Sequence, residues 1–376
     1  MTQTPPIKIL FSSNISWSIY NFRFSLLKYF QSKGYIIYTI AHKDKYAKYL
    51  DDEGFHFHHI DINNNSTNPI GDFKLILDYI KLYKQISPNI ILHNAIKPNI
   101  YGTIAAQYLG IPVINNISGL GTLFIKNSFF TKIAKYLYKF SQNKASKVLF
   151  QNHEDLDLFI ENGLVKKELT ELVPGSGVDT NFFSPIDNKR KNSLFEFIFV
   201  ARLIADKGIR EFIEAIRIIR SKNYRVKFTI LGSIYEANST AITQQELKDW
   251  INELHINYIP HSDNVRDIMK YADCLVLPSY REGLSRVLIE ASSLAIPMIT
   301  TKVPGCKDVV INNVNGLLCE VKNSKDLAEK MELMLNMDEG ELLRMGLNAR
   351  KRAVDVFDIK KIVAVYENCV KEILSI

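Results

Sequence analysis

Residues 278–308 read PSYREGLSRVLIEASSLAIPMITTKVPGCKD. Just before them, Leu275-Val276-Leu277 is a short apolar run of the kind that forms a strand buried on both faces. Pro278, Ser279 and Gly283 make a turn at its carboxyl end, and Val287-Leu288-Ile289-Glu290-Ala291 begins a helix. A strand, a turn and a helix start together make an anion site, because free N–H groups and the helix dipole point the same way. Glu282 lies in the turn, and Glu290 lies roughly 12 Å further on at helical rise. Two carboxylates that far apart do not share one proton. They suit the two ends of one long polar ligand, such as a sugar and a ribose joined by a diphosphate. The plainer reading is that Glu282 caps the helix and Glu290 is a solvated helix residue.

Outward from this unit, strands and helices alternate in both directions. In the second half, strands are expected at 197–200, 227–231, 257–259, 275–277, 298–300 and 316–318, with helices between them and at 324–335, 340–356 and 359–374. In the first half, strands are expected at 7–11, 35–41, 55–60, 89–92, 112–116 and 148–150. Ser12 to Ser16 read as a loop, with helices from Asn21 to Phe30, Asp72 to Ser87 and Ile100 to Leu109, and in the second half one from Gln244 to Leu254. This alternation predicts an α/β chain of two Rossmann-like parallel-sheet domains. The division expected is 1–173, 174–358 and a final helix, 359–376, packing back on the first domain. Open α/β sheets bind ligands at the carboxyl ends of their strands. A cleft between two facing sheets is therefore the expected site.

At 376 residues with 47% hydrophobic content, the chain can build two cores. Its net charge of +7 is unevenly spread. Residues 1–190 hold 21 Lys and Arg against 15 Asp and Glu, so an acidic partner is expected on that half. Cys274, Cys306, Cys319 and Cys369 form no CxxC pair, which argues against zinc or a disulfide framework and fits a reducing cytoplasm. No apolar run reaches transmembrane length, and MTQTPPIKIL carries no signal-peptide pattern.

Further residues carry chemistry. Arg202 and Lys207, in ARLIADKG at 201–208, follow a strand and precede a helix, where a fork and a point charge can meet a diphosphate. Gly232 after the next strand allows close backbone approach. Gly119 and Gly121 resemble half of a dinucleotide fingerprint but lack its third glycine and its acidic residue, so a nicotinamide or flavin site is not expected. His93 and Lys97 follow a strand end in the expected cleft, where a lone histidine is more often structural than a ligand contact. His56, His58 and His59 cluster without a carboxylate at metal spacing, so no metal is expected there. Lys126 to Lys147 holds six Lys, no acid and many aromatics. That pattern suits an interfacial helix on anionic lipid, and the plainer reading is a helix with a core stripe and a solvated basic face. No nucleic-acid-binding signature accompanies it.

Together these residues resemble a retaining glycosyltransferase of family 4 with the GT-B fold. The resemblance rests on Glu282-Gly-Leu-Ser-Arg-Val-Leu-Ile-Glu290, ARLIADKG at 201–208, PGSGVDTNFF at 174–183, LGSIYEANSTAI at 231–242 and VPGCKDVV at 303–310. In the first half NFR at 21–23, KPNIYG at 97–102 and SGLGTLF at 118–124 resemble a narrower branch that builds bacterial capsule, O-antigen and N-glycan, including a lipid-linked N-acetylgalactosaminyltransferase. The resemblance implies that Arg202 and Lys207 hold a donor diphosphate. By the same resemblance Glu282 contacts the transferred sugar, Glu290 the ribose, and the N–H groups of Gly283, Leu284 and Ser285 the phosphate. It implies a UDP-sugar donor, no metal, and an acceptor saccharide on undecaprenyl diphosphate at the inner face of the cytoplasmic membrane. Arg23, His93, Lys97, Gly119 and Gly121 are the acceptor-side candidates. A UDP-sugar epimerase of the same fold is the alternative. Two departures stand out: Asn115 to Gly119 lack the histidine of many relatives, and Ser12-Ser13-Asn14 lack their glycine pair.

Overall fold

A computed structural model of the chain describes residues 6–63, 68–119, 129–186, 194–236 and 238–376, with backbone alone at 129–132. The expected acceptor-side Gly121 lies outside the described residues. The chain divides into two compact units, Met1–Gly177 with Ile359–Ile376, and Val178–Asp358.

In the first unit the elements run β1 (Lys8–Ile15), α1 (Ser16–Ser32), β2 (Ile36–His42), α2 (Tyr46–Asp52), β3 (His56–His59), α3 (Pro69–Ile86), β4 (Ile90–Asn94), α4 (Thr103–Tyr108), β5 (Val113–Ile117), α5 (Phe129–Gln142), β6 (Lys147–Phe150), α6 (His153–Glu161) and β7 (Thr170–Leu172). The sheet has the order β3-β2-β1-β4-β5-β6-β7, with every pair parallel. The second unit runs β8 (Phe195–Val200), α7 (Ile209–Ser221), β9 (Val226–Leu231), α8 (Gln244–Leu254), β10 (Asn257–Ile259), α9 (Val265–Met269), β11 (Cys274–Leu277), α10 (Arg286–Ser293), β12 (Met298–Thr301), β13 (Gly316–Cys319), α11 (Ser324–Leu335) and α12 (Glu339–Arg352). Its sheet has the order β10-β9-β8-β11-β12-β13, again all parallel. Both orders reverse direction beside the first strand, as doubly wound sheets do. The final helix α13 (Ile359–Leu374) returns to the first unit.

The inner strands of each sheet are largely buried on both faces and mostly apolar, whereas the edge strands β3, β7 and β10 are partly exposed. In the first unit α1 and α13 cover one face, where Leu26, Leu27 and Phe30 join Ile362, Val363, Tyr366 and Val370. Leu75, Tyr79 and Tyr83 of α3 and Ala105 of α4 pack in a cluster on β1, β2 and β4, and Tyr138 of α5 and Phe159 of α6 in another on β5 and β6. The second unit has one core, in which Phe197, Phe199, Phe212 and Phe228 meet Val276, Leu288 and Met298.

Several expectations shift. The division between units falls after Gly177 rather than after residue 173. Val173 donates its N–H to Phe150 (2.9 Å), and Gly177 lies against Ile359 and Ile362 of α13. Val178 instead donates to Phe357 (3.0 Å) and pairs with Asp358. The expected loop at 12–16 is strand as far as Ile15, and α1 starts at Ser16. The cause is a distant residue: Asp44 accepts from Ser16 Oγ (2.6 Å) and the Trp17 N–H (2.8 Å). The helix expected over 100–109 is a π-turn at Pro98–Gly102 followed by α4. α3 starts earlier than 72 because Asn68 caps it and Pro69 takes the first-turn position, where a missing N–H costs nothing. The short edge strand β7 was not expected at all.

Candidate active site

The loops after β8, β9, β11 and β12 rise from the carboxyl edge of the second sheet, and β8 and β11 are the neighbours at which its strand order reverses. Lys207 follows β8 and Glu282 follows β11. Lys207 Nζ lies 2.5 Å from Glu282 Oε1, and the Glu282 side chain is 13% exposed. The two loops are bound to each other by backbone. Tyr280 donates its N–H to Asp206 (2.9 Å) and Ser279 Oγ donates to the same carbonyl (3.2 Å). Tyr280 Oη donates to Glu211 Oε1 on α7 (2.7 Å), and burial together with that carboxylate pushes the phenol well above its usual range.

The loop after β12 backs the Glu282 turn. Glu282 donates its N–H to Pro304 (3.2 Å) and Ser285 donates its own to Gly305 (3.0 Å). The expectation that Ser285 lends its N–H to a phosphate is therefore corrected, since that donor is committed within the protein. A Cβ at Gly305, where φ is +75°, would stand 2.5 Å from the Glu282 carbonyl oxygen, so only glycine lets the two loops meet. Gly283 is buried in the turn and Leu284 is half-buried. Beneath the turn Cys306 is fully buried, and burial with the nearby Glu282 charge pushes its thiol up to about 12.

Glu290 is neither solvated nor a cap: it is 13% exposed and accepts from Arg286 Nε at 2.7 Å. Glu282 does not cap α10 either; Ser285 is the cap residue and makes no side-chain cap bond. Arg202 is exposed, stacks its guanidinium 5.1 Å over Tyr235, and has no carboxylate partner among the described residues. Gly232 donates its N–H to Ile259 (3.0 Å), and a Cβ there would fall 1.8 Å from the Ala201 carbonyl oxygen. The second unit thus gathers two cations and two carboxylates along one sheet edge. Sequence reading missed Tyr235 and Arg286. The i,i+4 spacing of Arg286 and Glu290 was the available signal for the second.

The first unit treats its candidates differently. His93 is buried, with Nε2 on Tyr83 Oη (2.8 Å) and Nδ1 on Asn115 Oδ1 (3.0 Å). Burial lowers its pKa to about 4, with the Asn115 bond opposing. Packed against Gly102 as well, it is a core histidine and does not present its ring to a ligand. Lys97 is held by Asp72 at 2.6 Å, and Tyr101 donates to the same carboxylate (2.7 Å). Arg23 is 4% exposed; Nη2 donates to Asn94 Oδ1 (3.2 Å), its guanidinium lies 5.8 Å from the Tyr366 ring, and Nη1 has no partner among the described residues. Gly119 follows β5 with φ +124°. The histidines also differ from expectation. Asp61 is the carboxylate the sequence seemed to lack, 3.0 Å from His59 Nε2 and 3.7 Å from His42 Nδ1. His59 Nδ1 accepts the Lys43 N–H (3.1 Å), so its proton sits on Nε2 and points at Asp61. The arrangement is an exposed hydrogen-bonded pair with His42 beside it.

Residues 182–352 match the family model for glycosyl transferases group 1, and residues 8–152 match the model for glycosyl transferase 4-like domains. The chain is a glycosyltransferase of the GT-B fold. The N,N'-diacetylbacillosaminyl-diphospho-undecaprenol alpha-1,3-N-acetylgalactosaminyltransferase of Campylobacter jejuni is 25% identical over 98% of this chain and 100% of its own length. The capsular polysaccharide biosynthesis glycosyltransferase CapM of Staphylococcus aureus is 29% identical over 88% of each chain. Among solved structures, a glycosyltransferase from Rickettsia africae superposes with a TM-score of 0.81 at 18% identity, covering 99% of both chains. Anabaena HepE in complex with UDP and glucose superposes at 0.80, also at 18% identity, over 97% of this chain and 99% of that one.

In this glycosyltransferase α5 is two-sided. Tyr138, Ser141 and Gln142 are buried, while Ile133, Tyr136 (70% exposed) and Phe140 face outward among Lys135 and Lys139. The part of the lysine-rich stretch at 126–128 lies outside the described residues. No helix among those described is long and apolar enough to cross a membrane.

Proposed function

We propose that this glycosyltransferase moves a hexose or N-acetylhexosamine, N-acetylgalactosamine first among them, from a UDP-sugar to a saccharide carried on undecaprenyl diphosphate, in the building of a bacterial surface glycan. The observation that carries the reading is the Lys207–Glu282 pair at the point where the second sheet reverses, with the partly buried Glu290 on α10 beyond it. The lipid-linked acceptor and the sugar are taken from the Campylobacter jejuni relative, whose name gives both.

In this reading Arg202 and Lys207 take the donor diphosphate, and Glu290 the ribose. Glu282 keeps one oxygen on Lys207 and offers the other to a hydroxyl of the transferred sugar. The acceptor hydroxyl attacks the anomeric carbon on the face from which UDP departs. The carbon–oxygen bond to UDP breaks, the new glycosidic bond forms with retention, and the departing phosphate oxygen takes the acceptor proton. The two cations and the amino end of α10 offset the leaving charge, so no metal is required. The exposed Ile133-Tyr136-Phe140 line of α5, with its lysines and no acid, rests on the inner face of the cytoplasmic membrane.

The test is transfer of labelled sugar from several UDP-sugars into an organic-extractable lipid fraction, with and without a chelator. Label from one donor, undiminished by chelation, is expected. Interconversion of a free UDP-sugar with no lipid product replaces the reading with an epimerase.

A further inference from the structure

Helix α3 is apolar on two sides. Leu75, Tyr79, Tyr83 and Ile86 form its buried stripe. On another side Ile70, Phe73 and Leu77, spaced i, i+3, i+7, are 81%, 63% and 50% exposed. A helix on the surface of a water-soluble domain shows polar residues there. Lys74, Lys81 and Lys84 are exposed along the same helix. Ile96, also exposed, belongs to the same neighbourhood, because Lys97 beside it is paired to Asp72 in the first turn of α3. In a parallel sheet each crossover helix starts at the carboxyl edge, so Ile70, Phe73 and Ile96 lie at the edge where such sheets take ligands. Beyond α3, α4 and α5 pack in turn, and Tyr108 and Phe140 line an apolar hollow between them.

We propose that α3 is a second lipid-contacting helix, laying Ile70, Phe73 and Leu77 into the headgroup–acyl boundary of an anionic bilayer. This rests on the lipid-linked acceptor proposed above and says how the first unit meets that lipid. Charge decides the occupant. Over α3, the loop at 95–97, α4 and the described side chains of α5, Lys97 and Asp72 pair with each other, which leaves Lys74, Lys81, Lys84, Lys135 and Lys139 against Asp78. A second copy of the chain meeting this surface about a twofold axis would bring lysine onto lysine. An anionic headgroup layer meets the lysines and leaves the apolar side chains below it. Two helices, rather than α5 alone, then fix how the first unit is tilted on the membrane, with the carboxyl edge of its sheet at headgroup depth.

The test is flotation of the full chain with vesicles of phosphatidylglycerol and phosphatidylcholine, against phosphatidylcholine alone. The wild type is expected to float with the anionic vesicles. I70S/F73S/L77S is expected to bind them at least tenfold more weakly while keeping its thermal midpoint and its transfer to a water-soluble short-chain acceptor. Y136S/F140S probes α5 separately. F73W guards against misfolding of the triple variant: its added fluorescence shifts to the blue with anionic vesicles only. Flotation of the triple variant equal to wild type, or no shift in F73W, overturns the proposal. So does a wild-type dimer that does not float and that the triple variant converts to monomer. Failure of the wild type to move sugar to the soluble acceptor, with flotation intact, sinks the proposed reaction and leaves α3 as a lipid helix.

Discussion

Single side chains decide the chemistry of the second unit. Replacing Glu282 by Gln keeps its shape and removes the charge that Lys207 answers. A fall in kcat of about 10²–10³ is expected, with UDP affinity changed only a few-fold, as read by initial rates and calorimetry. Lys207→Ala is expected to weaken UDP binding as well, and the double variant to fall short of the sum, since the two groups are in contact. His93 makes a prediction of another kind. Its folded pKa near 4 lies below its ordinary value of 6.5, so the unfolded chain takes up the proton first as pH falls. Stability of the first unit is therefore complete above pH 6.5 and declines between there and pH 4, by ~3 kcal/mol at the low end. His93→Gln is expected to flatten that slope in thermal melts across the window. Legibility at this scale was uneven. Glu282, Glu290, Arg202 and Lys207 were visible because charges beside a strand–turn–helix pattern stand out. His93 and Lys97 looked the same in sequence, and only packing shows that one is core and the other is paired.

Loops and helices carry the next layer. Gly305→Ala introduces a Cβ onto the Glu282 carbonyl and an αL alanine, together about 1 kcal/mol or more. Activity is expected to fall further than the melting temperature, because the displaced backbone is that of Glu282. Ending the chain at Asp358 removes Ile362, Val363, Tyr366 and Val370 from the first core, where each buried side chain is worth roughly 1.5–3 kcal/mol. Loss of soluble, cooperatively melting protein is expected, by expression yield and calorimetry. Element types and most limits were readable where a local cap or periodicity marks them: α8 runs from Gln244 to Leu254 as expected, with a Thr243–Glu246 capping box. The start of α1 was not readable, because the residue that fixes it, Asp44, is distant in sequence and carries no pattern of its own. Its carboxylate also occupies the helix start that a Rossmann-like unit offers to phosphate. That agrees with the donor site proposed for the second unit.

At the level of the whole molecule, alternation of strand and helix sufficed for two parallel sheets. The order of strands and the exact division between units did not follow from it, since pairing partners far apart in sequence leave no local trace. The division has a consequence. Val178 enters the second unit and Asp358 leaves it side by side, joined by the Val178–Phe357 hydrogen bond at 3.0 Å. The second unit is thus a continuous insert with touching ends, a cassette set into a host whose own two ends both belong to the first unit. A fragment of residues 178–358 is expected to fold and bind UDP without the rest, by calorimetry, and failure to do so would show that the host is needed to hold it. The same closeness of ends makes this position the natural joint for exchange: the second unit can be swapped for that of another chain while the first, with its final helix, is left intact.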